Sequence, residues 1–253
     1  MDSRPIGMFD SGCGGLTVLK EYIKKFPNED FIYYGDTAHL PYGDKSKEKI
    51  IEYSESIVNF LINKNVKMIV IACGTASASA YEYLKEKYAD IPIQNIIEPT
   101  AKLIKDERIG VIATKATIKS NAWENSILKY NPNAKIKSVA CPLLVPLIEE
   151  GFTDNPATDF ILNKYLSNFT DENITSLILG CTHYPILKDQ IQNTLGDSVK
   201  IINVGTYSAN ETYEFLKENN IENDSVHKGC IEFFASDDFE TFKENAKMLG
   251  FEF

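Results

Sequence analysis

The chain has 253 residues, 43% hydrophobic and 25% charged, with a net charge of −10. That length buries a full core and accommodates two half-sized domains, while the acidic balance excludes a broad basic surface for nucleic acid. No apolar run approaches the roughly 20 residues that cross a bilayer. Five thinly spread cysteines favour free thiols in a reducing cytoplasm over a disulfide framework. The opening residues Met1 to Pro5 lack the charged and apolar regions of a signal peptide, so a cytoplasmic location is expected. His39, His183 and His227 are dispersed, and neither CxxC nor HExxH spacing occurs, so no metal site is expected.

The first predicted strand, 5–9, runs into Asp10-Ser11-Gly12-Cys13-Gly14-Gly15 and then a helical pattern over 16–26. The glycines permit a tight turn whose N–H groups could hold a carboxylate or phosphate. The full dinucleotide fingerprint and the P-loop lysine are absent, which argues against a nucleotide and leaves a plain strand-to-helix turn as the competing reading. A second strand, 31–34, ends at Gly35-Asp36-Thr37, and Pro41 and Gly43 mark a loop. Ser46 opens a helix to about residue 63. The run 68–72 is apolar throughout, as in a strand buried on both faces, and ends abruptly at Cys73-Gly74-Thr75 before a helix over 76–88. A strand over 93–97 stops at Glu98-Pro99.

A second pass of the same kind starts near Arg108. Residues 109–114 echo 6–11, and the strand 177–180 ending in Cys181-Thr182-His183 repeats the Cys73 design 108 positions later. Between them lie a strand over 136–141 and a helix over 155–168. A helix opened by Pro185 runs to 195. Beyond it come a strand over 200–204, a helix over 206–218, a strand over 229–236 and a helix over 237–249. Strands alternating with helices imply parallel sheets covered on both faces.

Ligands in open α/β sheets gather at the carboxyl ends of the strands, where Cys73 and Cys181 both stand. A lone cysteine there is more often a small core residue; two in matched settings could face each other across one cleft. Cys13, Cys141 and Cys230 lack that pairing and read as structural. His39 and His227 read as surface residues, and Tyr33, Tyr34 and Trp123 as packing. Two opposed thiols suit inversion of a carbon centre, which needs a base on one face and an acid on the other. Each thiol precedes a helix whose N-terminus could lower its pKa from about 8.5. The alternatives are a thiol oxidoreductase, whose disulfide would need Cα atoms within roughly 7 Å, and a non-catalytic binding protein.

Phe9-Asp10-Ser11-Gly12, Tyr34-Gly35-Asp36-Thr37, Pro41-Tyr42-Gly43, Ala72-Cys73-Gly74-Thr75-Ala76-Ser77 and Gly180-Cys181-Thr182-His183-Tyr184-Pro185 resemble, in order, the signature stretches of the cofactor-independent aspartate/glutamate racemase family, in the form found in bacterial glutamate racemases. The resemblance implies that Cys73 acts on the α-proton of the D-enantiomer and Cys181 on that of the L-enantiomer. Asp10 would assist the first thiol and His183 the second. Asp10, Ser11, Tyr42, Gly43, Gly74, Thr75, Thr182 and His183 would line the substrate pocket, with Thr114, Thr117 and Glu149 as further candidates. It also implies no cofactor, a homodimer, no nucleic-acid or membrane partner, and D-glutamate supplied for peptidoglycan. Aspartate is the rival substrate within the family, and the Cys-Thr-His-Tyr form favours glutamate.

The expected fold is two similar parallel-sheet α/β domains related by pseudo-two-fold symmetry, with the site in the cleft between them. One domain takes residues 1–97 and 207–253, the other 98–206. Two departures stand out. Gly74 replaces the family's usual asparagine, which should leave extra space beside Cys73. Asn203 stands where an acidic residue is frequent.

Overall fold

Runs of Ile, Val, Met and Leu with no polar alternation form the central strands of two parallel sheets, buried on both faces. The computed structural model describes residues 2–224, 226 and 228–252; His227, expected at the surface, lies outside the described residues. The strands are β1 (Ile6–Asp10), β2 (Phe31–Gly35), β3 (Met68–Ile71), β4 (Ile93–Asn95), β5 (Arg108–Ala113), β6 (Lys135–Ala140), β7 (Ser176–Leu179), β8 (Lys200–Ile202) and β9 (Ile231–Ala235). One sheet runs β4-β3-β1-β2-β9 and the other β6-β5-β7-β8.

The internal echo is now explicit. In each sheet the first strand of the half is central, flanked by the second and third, with the fourth beyond the third. β5 therefore repeats β1, and β7 repeats β3. Register aligns Asp10 with Gly35 and Phe9 with Ile71, so Asp10, Asp36 and Cys73 emerge at one end of the first sheet. Ile112 pairs with Leu179 and Ala113 with Ala140, which gathers Thr114, Cys141 and Cys181 at the matching end of the second.

Helix Lys47–Asn63 shows how the covering layer is specified. Ser46 caps it, its hydroxyl accepting from Lys49 N at 3.4 Å, and Ile50, Ile57, Val58 and Leu61 form its buried face. Among the described residues, no helix is long and apolar enough to cross a membrane.

Several boundaries differ from expectation for local reasons. Glu98-Pro99 does not end a strand but lies in the first turn of helix Ile97–Leu103. Pro is tolerated there because an N–H in that turn has no helical acceptor, and the Asn95 side chain accepts from Ile97 N and Glu98 N. The helix expected over 76–88 begins earlier and divides at Ala80 into Gly74–Ser79 and Tyr81–Lys87. The helix from Pro185 starts as a 3₁₀ turn, Tyr184–Leu187, before Lys188–Leu195. Residues 115–134, given no element from sequence, hold helices Lys115–Lys119 and Ala122–Tyr130, separated by Asn121 at φ 54°. Asn203 ends β8 early by capping Val204–Glu218, accepting from Gly205 N at 3.0 Å. An aspartate would cap equally well, which accounts for the departure there.

At the other end of the first sheet, Lys67 Nζ lies 2.6 Å from Glu29 Oε2, with side chains 0% and 4% exposed. Lys67 also donates to the carbonyls of Asp2 and Ile221, so one ammonium ties three segments together. Removing one member leaves an unpaired buried charge. Lys67→Met should therefore destabilise the protein by about 3–5 kcal/mol. Urea unfolding measures this; a loss below about 1 kcal/mol would show the pair to be energetically idle.

Candidate active site

Each strand-end turn is shaped by its own sequence. Asp10 is fully buried, and its Oδ2 accepts from Gly12 N (3.3 Å) and Gly15 N (2.9 Å). The glycine turn is thus an anion cradle, but the carboxylate it holds is the chain's own. Tyr33 supports the turn by donating to Gly12 O. Burial raises the Asp10 pKa, opposed by the charge of His183 and by the two N–H groups.

Cys73 caps helix Gly74–Ser79, its sulfur accepting from Ala76 N at 3.4 Å and lying 3.8 Å from Ser11 Oγ. The helix does not leave it a ready thiolate. Burial pushes the Cys73 thiol up, the nearby Asp10 carboxylate adds to this, and the Ala76 and Ser11 contacts oppose it less strongly. Cys73 rests as a neutral thiol, contrary to the lowered pKa expected.

In the second sheet, Cys181 Sγ lies 3.9 Å from His183 Nδ1, and His183 Nε2 lies 3.1 Å from Glu149 Oε1. Burial works against charge on His183, yet its contacts with Cys181 and Glu149 prevail and raise its pKa to about 10. The ring is an imidazolium at neutral pH, held between a sulfur and a carboxylate.

The two sets of turns meet directly. Thr182 Oγ1 donates to Asp10 Oδ1 at 3.5 Å, and Thr17 Oγ1 lies 2.8 Å from the Thr182 carbonyl. Thr75, Thr114 and Thr117 form a hydroxyl triangle with separations of 2.9, 3.0 and 3.4 Å. Glycine makes the approach possible. A Cβ on Gly14 would fall 2.4 Å from His183 Nδ1, and one on Gly43 2.8 Å from Thr114 Cβ. One on Gly74 would fall 2.2 Å from the Gly180 carbonyl oxygen, so the extra space expected beside Cys73 is absent. Backbone fills it.

Cys73 and Cys181 are both free thiols and line one cavity. Ser11, Tyr42, Gly43, Gly74, Thr75, Thr114, Thr182 and His183 line it too. Thr117 reaches it through the hydroxyl triangle, and Asp10 and Glu149 stand behind the thiol and the imidazole they touch. Its volume is about 40 Å³, room for roughly three waters and too small in this conformation for the glutamate that the resemblance implies. A groove of about 580 Å³ runs along the edge strand β4, bordered by Lys85, Glu98, Lys102 and Glu211. It has no thiol and lies outside the region where the two sets of turns meet, so its size does not make it the site.

Two contributors were missed or misread from sequence. Asp36, buried, accepts from Tyr42 Oη and lies 2.8 Å from His39 Nδ1. His39 is accordingly half-buried, stacked on Tyr53, and no bare surface residue. Cys141, read as structural, borders the cavity. Both stand just past strand ends in register with Asp10 or Cys181, a signal already in the pattern. Cys13, Cys230 and Trp123 lie outside the cavity lining, with Trp123 deep in the core.

Comparison with known proteins places this fold in a family. The model of the Asp/Glu/Hydantoin racemase family matches residues 12–212. A glutamate racemase of Geobacter metallireducens is 43% identical over 241 residues, covering 94% of this chain and 89% of its own. Glutamate racemase 2 of Caldanaerobacter subterraneus is 44% identical over 253 residues, covering 98% and 94%. The crystal structure of Francisella tularensis glutamate racemase in complex with D-glutamate superposes with a TM-score of 0.92 at 42% identity, covering 98% of this chain and 94% of that one. The fold, two parallel sheets of five and four strands, is that of the solved glutamate racemases. The chain belongs to the Asp/Glu/Hydantoin racemase family.

Two outcomes are expected from the geometry. Histidine NMR should show His183 titrating near pH 10, against an ordinary 6.5. Because the folded-state value is raised, its stabilisation is complete below about 6.5 and is lost as pH climbs through about 10. Glu149→Gln should move both the titration and that loss to lower pH; an unmoved His183 would show that Glu149 does not hold the proton. In a crystal structure of Gly74→Ala, the Gly180 carbonyl should have withdrawn until the new contact exceeds 3.0 Å. An unmoved turn would show that the close approach is not real.

Proposed function

We propose that the protein interconverts L- and D-glutamate by a two-base mechanism using only its own side chains. The observation that carries this is the shared cavity between Cys73 and Cys181, one thiol at the end of each equivalent strand, with Asp10 behind the first and His183 beside the second. In the L-to-D direction Cys181 acts as a thiolate beside the His183 imidazolium and takes the α-proton to become a thiol, while the neutral thiol of Cys73 gives its proton to the opposite face of the carbon and is left as a thiolate. The reverse direction exchanges these roles.

As the α-proton leaves, charge builds on the substrate carboxylate. The hydroxyls of Ser11, Thr75 and Thr182 and the N–H groups of the turns carrying Gly74 and Gly43 stabilise it electrostatically. Holding the carbon between two thiols supplies the rest through orientation. The names of the relatives support glutamate over aspartate as substrate.

The wider reading belongs to the same proposal. D-Glutamate feeds peptidoglycan synthesis and so the maintenance of cell shape, and the enzyme works in the cytoplasm as a homodimer. Free thiols support the compartment, and exposed Phe152 and Phe160 offer apolar surface for self-association. Residues 1–97 with 207–253 form one lobe and 98–206 the other, a division supported by the membership of the two sheets.

Incubation with L-glutamate in D2O, without pyridoxal phosphate or metal, should give D-glutamate labelled at the α-carbon. Folded protein that neither racemises nor exchanges would reject the enzyme reading. Cys73→Ala and Cys181→Ala should each lower racemisation by at least about 10²–10⁴-fold, with melting temperature nearly unchanged. Full activity in either variant would reject the two-thiol assignment.

A further inference from the structure

We propose that Lys115 is the residue through which the site selects a substrate whose side chain ends in a carboxylate. The inference deepens the amino-acid racemase reading above and rests on it. Among the described residues lining the cavity, Lys115 is the one lysine or arginine and Asp44 the one carboxylate. They face each other from opposite sheets. Lys115 opens helix Lys115–Lys119 directly after Thr114, and Asp44 closes the turn Tyr42–Asp44. Gly43 beds that turn against Thr114, which brings the two charges together at the mouth.

Lys115 Nζ lies 3.9 Å from Asp44 Oδ1, and both side chains are 63% exposed. A pair so long and so wet is weakly held and readily exchanged. The other cation of the site, His183, is already engaged by Cys181 and Glu149. The threonine hydroxyls and turn N–H groups can hold one carboxylate by hydrogen bonds. A counter-charge would favour a second carboxylate over an uncharged side chain, and the flexible four-carbon stem of Lys115 can bring one from the rim.

Entry of an acidic amino acid then replaces Asp44 by the substrate as the partner of Lys115, just as the turns part to admit it. A side-chain amide of the same length gains nothing from that exchange. The protein's net charge of −10 strengthens the case. A dicarboxylate approaches against general repulsion, and a lysine at the mouth that can turn from Asp44 to the substrate offsets it locally.

The test uses wild-type protein, Lys115→Gln, Lys115→Arg, Asp44→Asn and the Lys115→Gln/Asp44→Asn double variant. Calorimetry measures Kd for L-glutamate and L-glutamine, and racemisation kinetics give kcat and KM at low and high salt. Lys115→Gln should weaken glutamate about tenfold in Kd and KM, leave glutamine unmoved, change kcat little, and flatten the salt dependence. Lys115→Arg should restore most of the affinity. Asp44→Asn should tighten glutamate a few-fold, roughly, by removing the competitor, and should have no such effect once Lys115 is gone.

Unchanged glutamate affinity in Lys115→Gln, or an equal loss for glutamine, overturns the proposal. So does weakening by Asp44→Asn, which would make the pair a mere clip between the turns. Wild-type protein that binds glutamate without racemising it rejects the racemase reading while the calorimetry still decides Lys115. Wild-type protein that binds no glutamate rejects both.

Discussion

The site depends on how closely two pieces of backbone can approach. The turns after β3 and β7 bring Gly74 within reach of the Gly180 carbonyl, next to one thiol on each side. Gly14 lies flush with the His183 ring in the same way, and Gly43 with Thr114. A side chain at any of these positions would act as a spacer between the sheets. Without spacers, groups from both sheets share one enclosure only a few waters in volume. Low dielectric and short distances then make every charge count.

Enclosure makes the two thiols unlike each other although their strands are equivalent. Cys73 sits beside a buried carboxylate and keeps its proton; Cys181 sits beside an imidazolium that Glu149 helps to hold. The repeat supplies two matched strand ends. The residues immediately after each cysteine, Gly74-Thr75 in one case and Thr182-His183 in the other, set the environments apart. A symmetric scaffold thus surrounds its two thiols differently, with a buried carboxyl beside one and an imidazole held by a carboxylate beside the other.

Much of this was legible in the sequence, and the reasons are specific. Unbroken apolar strands ending in cysteine mark buried parallel strands, and the echo of 6–11 in 109–114 proves to be β1 repeated as β5. Ser46 marked its helix because capping is a local interaction. Helices over 115–130 were invisible because a left-handed Asn121 interrupts their period. The fates of Gly74 and of the Cys73 proton could not be read, since both depend on residues over a hundred positions away or on burial. Asp36 and Cys141 were overlooked for a different reason. Each was judged alone rather than by its strand-end register.

The last strand has a bearing on how the chain is made. β9 pairs with β2, 200 positions earlier, and helix Phe239–Met248 packs Phe242 over Gly35. Until those residues leave the ribosome, the outer edge of β2 has no partner, and Tyr33 lacks the rings of Phe233 and Phe242 that later cover it. The second sheet, built entirely from contiguous strands, has no such wait. The half synthesised first is therefore the half completed last, and its unpaired edge stays open to mispairing while the rest of the chain is made.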